Sequence, residues 1–212
     1  MDTAAAPPAL VQVAQRYLET SRGVVGFTLH RVLDVHAGFQ SRHEDLVMVG
    51  VYDDGAIVKV RIVSYTIDGR PASASDDAAM EHAYEEPKAG DAFQPPFDAR
   101  YAKAYSYRQE TPQTIAFTSN LRDGAHGNGT FAYDADRNVV WYEYRPNVLP
   151  PHAASATILD RRAEVLPRYW AVTQETQEYR GSYGPFPGTG TEQVDFSDFS
   201  RFPDLQSALR SI

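Results

Sequence analysis

Behind Pro8, the apolar residues Leu10, Val13, Ala14, Tyr17 and Leu18 recur at helical spacing, while Gln12, Gln15, Arg16 and Glu19 lie elsewhere. This predicts a one-sided helix that Gly23 ends. Period-two alternation then takes over. Val25, Phe27, Leu29, Leu33 and Val35 fall on one face of an extended run, and Thr28, His30, Asp34 and His36 on the other. Leu46 to Tyr52 leads into Asp53-Asp54-Gly55, a strong signal for a tight hairpin turn. On the return run, Val58, Val60 and Ile62 are expected to face away from Lys59, Arg61 and Tyr65, and Asp68-Gly69 closes it. Alternation resumes at Tyr101–Tyr107 and around Ile115/Phe117, Phe131/Tyr133 and Val139–Arg145. Three further strands are expected at 154–164, 169–179 and 193–199, and Pro203 opens a short terminal helix.

The pattern predicts a mainly β, α+β fold. It consists of about ten antiparallel strands in a sheet that curls into an incomplete barrel, with the N-terminal amphipathic helix filling its hollow side. Residues 1–212 read as a single domain. The segment 71–98 interrupts the strands with seven acidic residues and one lysine, and a short helix is expected near Asp76–Glu85. An excursion of this length between strands points to a functional loop, read here as a mobile acidic flap.

Composition narrows the function classes. Lys+Arg 20 against Asp+Glu 28 gives a formal net charge of −8, and no basic cluster offsets it, so no nucleic-acid partner is expected. No apolar run approaches the roughly 18 residues that a transmembrane helix needs. With no cysteine, disulfides, thiolate metal sites and cysteine nucleophiles are excluded. The start, Met1-Asp2-Thr3 followed by Ala4 to Pro8, shows neither a basic nor an apolar signal region. A cytosolic start and an exported protein written without its leader both fit it.

Candidate chemistry is sparse. His36 and His43 flank a turn, but no third ligand is identifiable, so no metal site is assigned. Asp134-Ala135-Asp136-Arg137-Asn138 begins like a calcium loop, yet Val139 stands where glycine is needed and Tyr144 where glutamate is needed, so a hairpin turn is expected. The glycine-rich run 124–129 precedes a strand rather than a helix and reads as a loop. Nucleophile-elbow and zincin motifs are absent. No catalytic residue and no cofactor is assigned, and the chain is not expected to be an enzyme. Arg31 is the odd residue, in register with Phe27, Leu29 and Leu33. Either it is buried and must find partners, or a bulge releases it to solvent.

A helix running straight into a long strand (Leu10 to Val35) is followed by the meander turning at Asp54-Gly55. Later come Gly129-Thr130-Phe131-Ala132-Tyr133-Asp134, Val139-Val140-Trp141-Tyr142-Glu143-Tyr144 and Pro146-Asn147-Val148-Leu149-Pro150-Pro151-His152. This layout resembles the LolA/LolB-like superfamily of periplasmic lipoprotein carriers and their distant relatives. The resemblance implies an incomplete barrel closed by helices, an apolar interior that holds acyl chains, and work in the periplasm without cofactor or catalysis. The basic-proline segment that follows the second strand in carriers has no counterpart here, and no cysteine opens the chain.

The expected function is binding of a lipid, or of the acyl chain of a lipoprotein, in an apolar half-barrel, with an envelope protein as a further partner. The candidate lining is Phe27, Leu29, Leu46, Met48, Val58, Val60, Ile62, Tyr105, Phe117 and Trp141. The alternative is a protein-interaction module with a filled core, using a sheet edge or the aromatic surface of Tyr101, Tyr105 and Tyr107.

Overall fold

The structure is a computed structural model and describes residues 7–87, 93–149, 153–183 and 186–212. The expectations placed on residues 1–6, on the part of the flap at 88–92 and on Pro150, Pro151 and His152 lie outside the described residues.

Helix α1 (Pro8–Thr20) starts with proline in its first turn and buries Leu10, Val13 and Ala14. At its end the hydroxyls of Thr20 and Ser21 donate to the carbonyls of Arg16 and Tyr17, and Gly23 turns the chain at φ 108. Strands β1 (Val24–Ala37), β2 (Gln40–Asp53), β3 (Ala56–Ile67) and the two-residue β4 (Arg70–Pro71) then form a meander. The hairpin between β2 and β3 turns on Asp54 and Gly55, both at positive φ (48 and 81), the left-handed pair that an Asp-Gly turn supplies. Helix α2 (Ala74–Glu85) begins with a capping box between Ser73 and Asp76. After it come β5 (Tyr105–Thr111), β6 (Thr114–Ser119), β7 (Gly127–Tyr133), β8 (Val139–Pro146), β9 (Ala153–Leu166), β10 (Tyr169–Tyr183), β11 (Phe186–Phe202) and the short α3 (Leu205–Leu209).

All eleven strands belong to one antiparallel sheet, in the order β4-β3-β2-β1-β11-β10-β9-β8-β7-β6-β5. The sheet does not close, because β4 and β5 are its two edges. The mainly β, incomplete-barrel architecture expected from the sequence is therefore present, with one more strand than the alternation marks. Every neighbour pair is sequential except β1 with β11, which joins the chain's first meander to its last strand. The connection between β4 and β5 consequently has to run from one edge of the sheet to the other.

Two clusters share the inner face. The first packs Phe27, Leu29, Leu46, Met48, Tyr52, Val60, Tyr65 and Val194, with Met80 and Tyr84 of α2 laid against them. The second packs Leu10 and Val13 of α1 against Phe97, Ile115, Phe117, Phe131, Tyr133, Tyr142 and Ile158. Each fully buried side chain of this kind contributes about 1.5–3 kcal/mol. The outer face carries a smaller patch, where Ala208 of α3 is buried and the helix sits on β1, β2 and β11.

The described residues of the segment 71–98, 71–87 and 93–98, pack on the sheet at two places. Helix α2 lies along β3, and Phe97 is buried in the second cluster with its ring 5.0 Å from that of Tyr17. Phe93 stacks on Tyr144 at 3.7 Å between centroids.

Candidate functional site

Cross-strand register places one row of residues over the middle of the inner face. It runs Tyr142–Asp160–Glu175–Val194–Arg31–Leu46–Tyr65, from β8 through β9, β10, β11, β1 and β2 to β3. The row is apolar only in part. Three of its members, Arg31, Asp160 and Glu175, carry ionisable heads into the core, and each must be explained.

Arg31 is buried, which settles its two sequence readings. Its guanidinium donates to both carboxylate oxygens of Glu192, at 2.9 and 3.3 Å, and to Glu44 at 3.2 Å. Glu44 also accepts from Arg42 at 2.6 Å and from the Tyr65 hydroxyl at 2.9 Å, and Glu192 from the Tyr179 hydroxyl at 2.8 Å. Burial alone would raise the Glu44 carboxyl, but the hydrogen bonds from Tyr65 and Arg42 and the charge of Arg31 leave it lowered. Burial likewise opposes the Arg31 charge, yet Glu192 and Glu44 raise its pKa. Arg31, Glu44 and Glu192 are thus paired with one another and with Arg42, Tyr65 and Tyr179.

The other half differs. Asp160 and Glu175 are direct cross-strand partners on β9 and β10. Burial, and then the charge of Glu175, push the Asp160 carboxyl well above the ordinary carboxylate range, and burial also raises Glu175. Gln177 donates to Glu175, whereas Asp160 Oδ1 has no hydrogen-bond partner among the described residues. Two residues along β9, the Arg162 guanidinium lies 4.5 Å over the Tyr17 ring, and its Nη2 donates to the Trp170 carbonyl at 2.8 Å. Its Nε is buried and without a partner among the described residues.

Beside Arg162 lies a cavity of about 70 Å³, lined by Tyr17, Tyr52, Tyr142, Tyr169 and Trp170 among others. That is far below the roughly 300–1,000 Å³ of an ordinary ligand pocket. Helix α2 covers the first cluster, and a larger cavity of about 350 Å³ lies beside it, lined by Lys59, Val60, Arg61, Glu81, Leu209 and Ile212. None of the α2 residues is fully buried. Its hold is peripheral: Glu81 accepts the Ile62 N–H at 2.8 Å, Glu85 accepts the Val60 N–H at 3.1 Å, and Lys59 pairs with Glu85 at 2.7 Å. These glutamates occupy backbone donors on the side of β3 that the two-residue β4 leaves unpaired, which blunts an exposed sheet edge.

Of the residues expected to line the interior, Phe27, Leu29, Leu46, Met48 and Val60 come together in the first cluster with Ile62 against it. Tyr105 and Phe117 join the second cluster. Val58 and Trp141 join neither, for one physical reason. The register slips at Val58 (Val51 pairs with Lys59, Tyr52 with Ile57), so Val58 is 37% exposed and Ile57 takes the inward position. A second slip at Val63 turns Tyr65 inward, against the expected alternation. On β8 the slip at Val140 leaves Val139 and Tyr142 inward and Trp141 on the opposite side. Tyr105 and Tyr107 do not form an open aromatic surface, since their hydroxyls donate to the carbonyls of Gln94 and Pro96.

The remaining motifs have local roles. His36 is exposed, and His43 Nδ1 bonds Asp34 at 2.8 Å. Asp134 accepts from the backbone N–H and the side chain of Asn138, forming the expected hairpin turn. Among the described residues, no group of three or more His, Cys, Asp or Glu is arranged for a metal, and no helix is long and apolar enough to cross a membrane. The sequence missed Asp160, Glu175 and Arg162. The available signal was that Asp160 and Arg162 share a strand face with Ala156 and Ile158, the anomaly that singled out Arg31.

No family model and no curated protein matches the chain. Several solved structures are similar to it in layout. A Vibrio parahaemolyticus domain whose name assigns it to outer membrane lipoprotein sorting shares 10% identity at a TM-score of 0.47, with 92% of this chain and 93% of that one covered. A DUF1329 family protein from Desulfovibrio piger shares 10% identity at a TM-score of 0.42, with 94% of each chain covered. A LolA superfamily protein from Nitrosomonas europaea shares 9% identity at a TM-score of 0.37, with 94% and 96% covered.

Proposed function

We propose that the chain binds a lipid or an acylated ligand on the inner face of its open sheet, and that it does so by displacing α2. The observation that carries this reading is topological. The chain between the two sheet edges carries α2, which lies against the inner face and is held there by rim contacts and by the half-buried Met80 and Tyr84. Beneath it Phe27, Leu29, Leu46, Met48, Val60 and Ile62 form a continuous apolar strip. Each methylene laid on that strip contributes about 0.8 kcal/mol, so a chain of roughly ten offsets the exposure of Met80 and Tyr84 with a surplus.

On this reading the protein works in the cell envelope as a binding protein without catalysis or cofactor, and residues 71–87 are its movable cover. Tyr105 and Phe117 belong to the half closed by α1, and we assign them to support rather than to contact. Native mass spectrometry of the protein purified from its host, then stripped with organic solvent and refilled from a lipid extract, tests the reading. Discrete adducts lost on stripping and regained on refilling support it. An adduct-free protein that takes up nothing refutes it.

A second reading is favoured by one specific feature. Phe39, 82% exposed, and Phe186, 40% exposed, meet edge to face at 5.4 Å where the β1–β2 and β10–β11 hairpins end side by side. An apolar pair of this kind in solvent suits docking onto a protein partner, and Phe39→Ser separates that role from binding on the inner face.

A further inference from the structure

We propose that the cavity on β3, between α2 and the end of α3, is a separate binding site for a short aliphatic monocarboxylate. Arg61 takes the carboxylate, and Val60, Leu209 and Ile212 take the chain. Only Val60 is shared with the strip under α2, and the site is open without any movement of that helix. It therefore goes beyond the binding reading above.

Three observations carry it. The first is room. The cavity measures about 350 Å³, inside the roughly 300–1,000 Å³ range of ligand pockets and about twice the ~150 Å³ that holds a benzene ring. On that scale it accommodates on the order of a dozen non-hydrogen atoms, the size of an eight- to ten-carbon fatty acid. The second is the wall, where Val60, Leu209 and Ile212 supply an aliphatic side and Leu209 is left 40% exposed. The third is the distribution of charge. Lys59 and Arg61 pair with Val51 and Val49 across the strands, and flank the inward, buried Val60, so both project to the other face. Lys59 is committed to Glu85 at 2.7 Å, and Glu81 accepts the Ile62 N–H at 2.8 Å. Arg61 has neither an ion pair nor a side-chain hydrogen bond among the described residues, and is the uncommitted charge of the wall.

The lining selects the class. A guanidinium is permanently charged, and its parallel N–H donors match the two oxygens of a carboxylate. An alcohol leaves that charge unmatched, and an ammonium is repelled by it. The aliphatic side favours an alkyl chain on the carboxylate, since each buried methylene adds affinity. Glu81, fixed against the β3 backbone, puts one negative charge on the same wall and disfavours a second anionic group on the ligand. A monoanion with a single chain satisfies all three conditions.

The test follows backbone amide shifts of the full chain by NMR while octanoate, octanol, octylamine and octanedioate are titrated at neutral pH. Octanoate is expected to move Val60, Arg61, Leu209 and Ile212 and to bind about fivefold more tightly than octanol, with octylamine and octanedioate weaker still. Shortening the chain to hexanoate should cost about tenfold, the share of two methylenes. Arg61→Gln should bring octanoate down to octanol, and Leu209→Ser should weaken both alike; the two positions are exposed, so both variants should keep the parent's thermal midpoint. Equal affinity for octanoate and octanol, or a preference that survives Arg61→Gln, overturns the site. Shifts confined to Phe27, Leu29 and Met48 overturn it as well, and support binding under α2 instead. Silent titrations in a protein that still forms lipid adducts in native mass spectrometry overturn the site and leave the binding reading standing. Octanoate bound at Arg61 in a protein that forms no lipid adduct supports the site and refutes that reading.

Discussion

The two halves of the inner face bury ionisable groups in opposite ways. On β1, β2 and β11, Arg31 is surrounded by Glu44 and Glu192, which also accept from Arg42 and Tyr65 (Glu44) and from Tyr179 (Glu192). On β9 and β10, two carboxyl groups face each other across the strands, while Arg162 nearby spends its hydrogen bond on Trp170 and its charge on the Tyr17 ring. In the first arrangement the central cation and both carboxylates are paired. The second is incomplete in both donor and acceptor. Burial by itself therefore does not mark a functional group; what distinguishes the second half is polar capacity left unused after the fold has formed.

Breaking the complete half should have the largest effect. Arg31→Met leaves Glu44 and Glu192 buried without their central cation, and a loss of about 3–5 kcal/mol in urea unfolding is expected. A loss below about 1 kcal/mol would mean that the two glutamates reach solvent or other partners.

Next in size is Asp160→Asn. The native Asp160 carboxyl is raised, by burial and then by Glu175, so ionising it opposes folding. The penalty is absent below the ordinary carboxylate value near 4 and grows as pH rises towards the native value. The variant should thus be more stable than the parent at pH 8. The gain should vanish by pH 4.

Glu44 has the opposite sign. Its pKa is lowered despite the opposing effect of burial, so its contribution is in place above about pH 4.3 and is lost as pH falls through the native value. Replacing it with Gln should cost stability at pH 7 and progressively less below pH 4. Stability profiles in which both variants slope the same way would remove the distinction between the halves.

The smallest effect concerns the cover. Glu81→Ala and Glu85→Ala each free one backbone N–H of β3, with a cost of about 0.5–1.5 kcal/mol per bond. Faster hydrogen exchange is expected at Ile62 and Val60, and unchanged exchange at Ile115 in the half closed by α1.

Much of the fold was legible in the residue pattern, because alternation and turn chemistry are local. The Asp54-Gly55 turn, α1, the helix near Asp76–Glu85 and the open antiparallel sheet all arise from signals within a few residues. The features that the pattern did not reveal depend on pairing between distant segments. The slips at Val58, Val63 and Val140 insert one residue each and reverse the facing of the residues beyond them, so Val58 and Trp141 left the clusters while Ile57 and Tyr65 entered. Phe97, isolated in a polar stretch, showed no periodicity to mark it as core. The Asp160–Glu175 pair is visible only once β9 and β10 are in register, since fifteen positions separate the two residues in the chain.

The central claim, that ligand enters by displacing α2, is tested most directly by tethering that helix. The chain has no cysteine, so Lys59→Cys with Glu85→Cys gives two unique thiols at an existing contact, which a short bismaleimide can join. Lipid uptake should be normal before cross-linking and should fall at least tenfold after it, with the thermal midpoint unchanged or higher. Full uptake by the tethered protein would contradict the claim.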